Sequence, residues 1–202
     1  MKILVVLADL ARERHLAGLA VAVAGDDEVV LASVLEVGAD RSLATEQPQA
    51  RARRRELDAV ATQVSRGRAR VRPVVTVARR GWDAIVETVR REDPALLVLA
   101  WRRPGWDVLG TTIEAILRDP PCDIAVVRGS FARARRILVP VRGGRYAHLA
   151  VAIAVGFARR RDASLTLLHV TEPDRRSPLG IYRLIGDMAF EVTRTVHHAP
   201  FR

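Results

Sequence analysis

Residues 2–9 read Lys2-Ile3-Leu4-Val5-Val6-Leu7-Ala8-Asp9, and this stretch decides the fold. The run from Ile3 to Ala8 is apolar and rich in strand-forming side chains, which is typical of a strand buried on both faces of a parallel sheet. Asp9 can cap a following helix, whose apolar residues from Leu10 to Val23 end at Gly25. A buried strand followed at once by a helix indicates an α/β protein.

The same alternation continues along the chain. Further strands are predicted at 29–34, 71–77, 95–100 and 124–127, and further helices at 45–66, 82–89 and 111–117. Pro73 indicates that the third strand lies at a sheet edge, because proline cannot donate a hydrogen bond to a ladder. Five strands joined by four helices predict a doubly wound, five-stranded parallel sheet.

The pattern then repeats. Arg136–Val141 restates Lys2–Leu7, and His148–Ala154 restates His15–Val21, at an offset of about 133 to 136 residues. We therefore predict one complete domain over residues 1–129 and a partial second domain over residues 136–202, made of a β-α-β copy and a C-terminal helix at about 179–196. Two parallel strands and one or two helices bury too little surface to be stable alone, so the second part needs a docking partner.

The net charge of +10 and the pI of about 11.3 suggest an acidic partner, such as nucleic acid, phosphate or a membrane surface. The chain contains one lysine, Lys2, so 32 of its 33 basic residues are arginine, a bias that genome base composition can produce. Aromatic residues make up 4% of the chain, which leaves few side chains to stack on bases. Direct nucleic-acid binding is therefore not favoured.

The chain has neither a long apolar run nor a cysteine framework. No window holds the roughly 18 consecutive apolar residues of a spanning helix, so we expect a soluble protein without membrane insertion. The single cysteine, Cys122, excludes a disulfide within the chain and favours a cytoplasmic location. Cys122 precedes a predicted buried strand and is interpreted as an inert core thiol.

The segments around the fourth and fifth predicted strands carry a family resemblance. The strand Ala95–Ala100, the loop to Gly110-Thr111 and the segment Ile116–Arg128, with Pro121-Cys122 before its strand, resemble the universal stress protein family. Ile137–Gly144 is similar to the opening of such domains, particularly tandem ones attached to amino-acid permeases and cation antiporters. The resemblance covers residues 1–129 and about half of a second domain. It implies the doubly wound fold shared with adenine nucleotide alpha hydrolase-like proteins.

The resemblance also implies a cleft at the carboxyl ends of strands one and four, where ATP-binding members hold a nucleotide. A ligand is expected there on physical grounds too, because strand order reverses and helix amino ends point at the crevice. In those members an aspartate ends the first strand, and the phosphates lie on a Gly-x-x-Gly, nine residues, Gly-Ser/Thr loop. Glycines let backbone N–H groups approach a phosphate closely.

Residue by residue, this chain departs from that pattern. The aspartate position falls on Ala8, with Asp9 one place later, and the loop glycines fall on Ala100 and Arg103. Six residues separate Arg103 from Gly110, instead of the nine that separate the corresponding glycines in the family. By the resemblance, the candidate binding residues are Ala8, Asp9, Val34, Ala100, Arg102, Arg103, Gly110, Thr111 and Thr112.

Two interpretations of this site follow. In one, Arg102 and Arg103 replace backbone N–H groups as phosphate ligands, since arginine suits bidentate phosphate contacts. In the other, larger side chains and a shortened loop fill a site that has lost its ligand, and this interpretation is favoured because the shorter loop removes the phosphate cradle. Trp101 and Trp106 flank the loop, and a packing role is favoured over an adenine platform.

No residue pattern indicates catalysis or a metal site. The chain has no Gly-x-Ser-x-Gly elbow, no Walker loop and no His-Glu-x-x-His, so we expect no enzyme. His15 is interpreted as a packing or capping residue.

The resemblance implies a cytoplasmic stress-response or regulatory module acting through protein contacts, with nucleotide binding weak or lost. The alternative is a switch domain that binds ATP, AMP or a cyclic dinucleotide through an arginine-based phosphate site and associates with a membrane transporter. A homodimer through the fifth strand or through the half domain is expected.

Overall fold

The computed structural model describes residues 1–65, 69–101, 118–131, 133–141 and 145–169. The chain divides into a first unit, Met1–Ala132, and a second unit, Arg133–Arg202. The described elements of the first unit are β1 (Lys2–Val6), α1 (Leu10–Ala24), β2 (Glu28–Glu36), α2 (Gln47–Val64), β3 (Arg70–Ala78), α3 (Gly81–Glu92), β4 (Leu96–Ala100) and β5 (Asp123–Val127). Those of the second unit are β6 (Arg136–Pro140), α4 (Arg145–Arg161) and β7 (Ser164–Leu168).

The strands of the first unit form one parallel sheet in the order β3-β2-β1-β4-β5. This is the doubly wound, five-stranded sheet that the sequence predicts. β3 lies at one edge, where Pro73 stands opposite Leu31 of β2, and the prediction from Pro73 is confirmed. β1 lies at the centre of the sheet, between β2 and β4.

Capping residues set the ends of the helices. Asp9 caps α1, since its Oδ1 accepts a hydrogen bond from the Arg12 N–H at 3.2 Å, and Gly25 ends α1 with a φ of 63°. Asp93 ends α3 in the left-handed conformation, and Pro94 follows it. These three boundaries agree with the sequence prediction.

Some boundaries differ from the prediction for identifiable reasons. β1 ends at Val6, so Ala8 lies in the β1–α1 loop and not in the strand. The predicted helix from Thr45 starts instead as a 3₁₀ turn, Leu43–Glu46, before α2 begins at Gln47. Pro48 explains the start of α2, because proline is tolerated in the first turn of a helix but not further inside it. The predicted helices at 111–117 and 179–196 lie outside the described residues.

The core of the first unit lies on both faces of the sheet. On one face, side chains of β1, β2 and β4 pack with Ile85 and Val89 of α3. On the other, β1 contributes Ile3 and Val5, and α1 and α2 pack against the sheet. Side chains alternate between the faces of a strand, so a central strand covered by helices on both sides is apolar in its interior, as β1 is from Ile3 to Val6.

The second unit has the β-α-β order that the repeat predicts. β6 and β7 pair in parallel, with Arg136 opposite Ser164. α4 packs against one face of this two-stranded sheet, and the buried residues shared between them are Val139, Val141, Val151, Ala154, Ala158, Leu165 and Leu167. On β6, the side chains of Arg136, Leu138 and Pro140, which alternate with that cluster, are exposed. Among the described helices of the chain, none is both long and apolar enough to cross a membrane.

An ion-pair cluster closes the amino ends of the strands in the first unit. Arg72 of β3 donates to Glu92 at 2.5 Å and to Glu28 at 3.1 Å, and the Lys2 ammonium donates to the Glu92 carbonyl oxygen at 2.5 Å. The hydrogen bond from Arg72 is the main cause that lowers the pKa of the buried Glu92 carboxyl, against the opposing effect of burial. The same hydrogen bond raises the pKa of Arg72. The cluster ties the end of α3 to the sheet.

Replacing Arg72 by methionine should therefore destabilise the protein by about 1–2 kcal/mol near neutral pH, because it leaves the buried Glu92 without its main partner. Urea unfolding followed by circular dichroism measures the difference. The matched control is Arg54→Met, which removes an exposed pair with Asp58 at 3.5 Å and should cost under about 0.5 kcal/mol.

The Arg72→Met difference should shrink as the pH falls from about 5 towards 3. A carboxyl with a lowered folded-state pKa stabilises the fold above its unfolded pKa and loses that contribution as it is protonated. A difference that stays constant down to about pH 3, or one no larger than that of Arg54→Met, would contradict this account of the cluster.

Candidate functional site

The carboxyl ends of β1 and β4 form the candidate site. These two strands are hydrogen-bonded neighbours, although β1 leads to β2 on one side and β4 leads to β5 on the other. The strand order therefore reverses between β1 and β4, and doubly wound sheets bind ligands at such a reversal. This reversal lies where the sequence predicts the crevice, and the connection that follows β4 lies outside the described residues.

Asp9 stands at the start of the connection that follows β1. Its Oδ1 accepts from the Arg12 N–H, and its Oδ2 lies 3.5 Å from the Arg12 guanidinium Nε. The carboxylate thus caps α1 and pairs with a neighbour on the same helix. Ala8, at the position where the family resemblance implies an aspartate, offers only a methyl group and its backbone groups.

Glu13 occupies the backbone donors of this loop, and sequence reasoning missed it. Its Oε2 accepts the Ala8 N–H at 2.8 Å and the Asp9 N–H at 3.0 Å, and the residue is only 6% exposed. A carboxylate beside a helix amino end is favourably placed in the field of that helix. The β1–α1 loop therefore already holds an anionic group, supplied by α1 itself.

A carboxylate also occupies the amino end of α3. Glu36, the last residue of β2, accepts the Gly81 N–H at 3.2 Å, whereas Arg80, the preceding residue, makes no side-chain cap. Nearby, the Arg79 guanidinium donates to the carbonyl oxygens of Val37 and Gly38. At this end of β2 and β3, Glu36 and Arg79 thus bind the protein's own backbone.

Two predicted binding residues lie at the ends of their strands. Val34 stands opposite Thr76 in the pairing of β2 with β3, and its half-buried side chain packs against the core on the α3 face. Ala100 ends β4 opposite Val127 of β5. Neither has a polar side chain, so each can offer a ligand only backbone groups and apolar contact.

The side chain of Trp101 is more exposed than the sequence analysis predicts. Its backbone N–H donates to the Val127 carbonyl oxygen at 2.7 Å, which extends the pairing of β4 with β5. Its side chain, however, is 46% exposed, so the preference for a packing role is wrong for this residue. The sequence could not show this, because burial of a tryptophan after a strand depends on which segments cover it. The indole lies beside the carboxyl end of β4 with a large exposed surface.

The remaining predicted site residues cannot be placed. Arg102, Arg103, Gly110, Thr111 and Thr112, together with Trp106, lie outside the described residues. The described part of the crevice consists of the β1–α1 loop, the end of β2 and the end of β4.

Two further residues that the sequence analysis singles out, His15 and Cys122, have packing roles in the structure. His15 packs edge-on against Phe131, with ring centroids 5.2 Å apart, in agreement with the predicted packing role. Cys122 is a half-buried free thiol packed against the core, and burial is the main cause that raises its pKa. A raised pKa keeps the thiol protonated and unreactive at neutral pH. Across the described residues, no three His, Cys, Asp or Glu side chains are grouped to hold a metal ion.

Comparison with known proteins now decides the family. The model of the Universal stress protein family matches residues 1–128 and 133–189. The chain belongs to this family. No curated protein is similar enough in sequence to match it.

Solved universal stress protein structures share the fold. The universal stress protein UspA from Lactobacillus plantarum is 16% identical, with a TM-score of 0.51, over 63% of this chain and 97% of that one. A universal stress protein from Archaeoglobus fulgidus DSM 4304 is 16% identical, with a TM-score of 0.59, over 98% of this chain and 77% of that one. At these identities the likeness extends to the fold alone.

The role of Glu13 in this universal stress protein is testable. Replacing it by alanine leaves two loop amides without their charged acceptor, so we expect a loss of about 1.5–3 kcal/mol in the free energy of unfolding. Sulfate should reduce this loss, because an anion can replace the carboxylate at the helix amino end, whereas sodium chloride of equal ionic strength should not. Chemical unfolding in the two salts measures both effects.

Glu56→Ala is the matched control for this experiment. Glu56 lies on α2, and its exposed carboxylate is 3.8 Å from Arg53, so its loss should cost under about 0.5 kcal/mol. If Glu13→Ala costs no more than Glu56→Ala, the two hydrogen bonds do not hold the loop.

Proposed function

We propose that this universal stress protein is a cytoplasmic stress-response and regulatory module that acts through protein contacts, and that its crevice binds nucleotide weakly or not at all. The carboxylate of Glu13 carries the proposal. It accepts the two amides of the β1–α1 loop, which are the donors that an incoming ligand would otherwise meet there. A second anion beside this buried carboxylate is repelled by it.

The other described polar groups of the crevice support the same conclusion. Asp9 binds the amide of Arg12, and Glu36 binds the amide of Gly81 at the start of α3. Phosphate sites at helix amino ends depend on N–H groups that are available to the ligand. In this chain, carboxylates of the protein accept the N–H groups of Ala8, Asp9, Arg12 and Gly81. The resemblance implies an aspartate at the end of the first strand in ATP-binding relatives, where this chain has Ala8.

We also propose that the protein is not an enzyme, because its sequence lacks the motifs that activate a nucleophile or bind a triphosphate. The cytoplasmic location is supported by the lone cysteine, Cys122, since the chain cannot form an internal disulfide.

A second candidate function is a nucleotide-dependent switch of the same fold. The exposed indole of Trp101 favours it, since an aromatic face at the end of β4 can stack on adenine. Arg102 and Arg103 follow directly in the sequence and would bind the phosphates, and Gly110, Thr111 and Thr112 would offer the helix amino end.

Calorimetric titration distinguishes the two candidates. We expect no micromolar binding of ATP, AMP or a cyclic dinucleotide to the full chain. Micromolar binding that is lost in both Arg103→Ala and Trp101→Ala, but kept in Arg54→Ala on α2, would overturn the first candidate and support the switch.

We further propose that the protein forms a homodimer through β5. β5 is an edge strand of the sheet, and each of its residues, Asp123–Val127, is partly exposed. An unpaired edge offers backbone donors and acceptors to a second copy. The partial second domain, residues 136–202, is the other part of the chain that the sequence suggests for self-association.

Sedimentation equilibrium tests the dimer. The wild type should have twice the mass of one chain, and Ala125→Lys in β5 should lower the mass to that of the monomer, because an added charge disfavours edge pairing. Thr76→Lys places the same charge on β3, at the opposite edge, and should remain dimeric. A monomeric wild type at micromolar concentrations contradicts the dimer, and a dimeric Ala125→Lys contradicts the β5 interface.

A further inference from the structure

The positive charge of the chain is concentrated in the second unit. Residues 133–202 contain 13 arginines and five acidic residues, a formal net charge of +8, whereas residues 1–132 contain 20 basic and 18 acidic residues, a net charge of +2. Base composition can exchange lysine for arginine, but this exchange leaves the net charge unchanged and acts on both units alike. The asymmetry therefore needs a physical explanation of its own.

Six arginines meet at one end of the second unit, which we call the arginine end. They come from the start of β6 and from the last turn of α4: Arg133, Arg135, Arg136, Arg159, Arg160 and Arg161. The Arg135 guanidinium donates to the Arg161 carbonyl oxygen at 2.7 Å, and the Ser164 N–H donates to the Arg135 carbonyl oxygen at 2.9 Å. These bonds hold the two segments together, so the six arginines lie at the same end of the unit.

In the first unit, the corresponding connection between the helix and the second strand is acidic. Asp26 and Asp27 lie between α1 and β2, and Glu28 begins β2. Asp27 pairs with the amino terminus at 2.5 Å, and Glu28 pairs with Arg72 at 3.1 Å. The corresponding turn between α4 and β7 contains one acidic residue, Asp162, which is also the only acidic residue among the described positions of the second unit. The repeated β-α-β geometry thus has mainly acidic residues at this connection in one copy and mainly basic residues in the other.

We propose that the arginine end binds the surface of an anionic phospholipid membrane, so that the second unit attaches the protein peripherally. Clustered arginines near such a surface are attracted to its lipid phosphates, and each basic residue contributes about fivefold in partitioning. Leu138 supports a lipid surface over a nucleic acid. It is 59% exposed, lies two residues after Arg136 on the same face of β6, and can contact the apolar part of an interface but gains nothing from a phosphate backbone.

The aromatic residues of the second unit support the same choice. Phe157 is buried beneath the Arg161 guanidinium, 5.7 Å from it, and Tyr146 lies in the first turn of α4, about 22 Å along the helix axis from Arg161. The arginine end therefore lacks a described aromatic side chain that could stack on bases. The arginine end is also poorly suited to bind another protein through a dry interface. The centre of such interfaces is depleted of charged residues, whereas the arginine end carries six arginines.

Cosedimentation of the full chain with vesicles tests this proposal. With about 30% phosphatidylglycerol in phosphatidylcholine at roughly 0.1 M salt, we expect binding that weakens as salt is added, and no binding to phosphatidylcholine alone. Changing Arg159, Arg160 and Arg161 together to alanine should lower the partition coefficient about 100-fold, and changing them to lysine should preserve it because the charge remains. Arg135→Ala with Arg136→Ala should lower it about 30-fold.

The matched control removes the same charges elsewhere. Alanine at Arg53, Arg54 and Arg55, a run on α2 of the first unit, should change partitioning by less than about threefold, because those charges lie outside the arginine end. Circular dichroism must show that every variant keeps the helical content of the wild type.

Three results would overturn the proposal. One is an absence of binding to anionic vesicles, including the case in which a short DNA duplex binds instead. The second is an equal loss in the α2 control and in the Arg159–Arg161 variant. The third is a loss of binding in the lysine variant as large as in the alanine variant, since a site that recognises the guanidinium group itself would then be responsible.

Discussion

The pairing of β1 with two parallel neighbours is the constraint on which the rest of the first unit depends. Ile3, Leu4 and Val5 are fully buried and hydrogen-bonded to β2 on one side and β4 on the other. A strand in this position must be covered on both faces, so the chain has to leave it through a tight loop into a covering helix. The reversal of strand order at its carboxyl end is a direct consequence of that pairing, and exists whether or not a ligand binds there.

The loop after β1 then has a second requirement, because backbone N–H groups next to a covered sheet need acceptors. In a ligand-binding protein of this architecture the ligand can be one of the acceptors. Here Glu13 reaches back from the first turns of α1 and accepts two of the loop N–H groups, while Asp9 accepts a third. The same contacts that complete the fold thus occupy three N–H donors at this end of β1, so in the proposed function the stability of the loop and its weak affinity for anions have one physical cause.

Local patterns allowed much of the fold to be predicted, and the failures have physical reasons. Asp9, Gly25 and Pro73 act through backbone geometry within a few residues, so their effects are visible in the sequence. Glu13 was missed because a capping box places its carboxylate three residues after the cap, and Glu13 follows Asp9 by four. The Arg72–Glu92 pair depends on β3 and α3 meeting in space. Of the predicted site, the structure places the strand ends, while the phosphate loop lies outside the described residues.

A comparison of the two β-α-β copies distinguishes the features that the fold requires from those that it allows to vary. Both keep apolar strands and an apolar helix face, since the parallel pairing requires them. The turn between helix and second strand is exposed in both copies, so packing does not restrict its charge. One copy uses Asp27 and Glu28 there to neutralise neighbouring cations, and the other places Arg159–Arg161 there. Like charges that are clustered in this way repel one another. An anionic surface would reduce that repulsion, and this is the physical basis on which the arginine end is proposed as a binding surface.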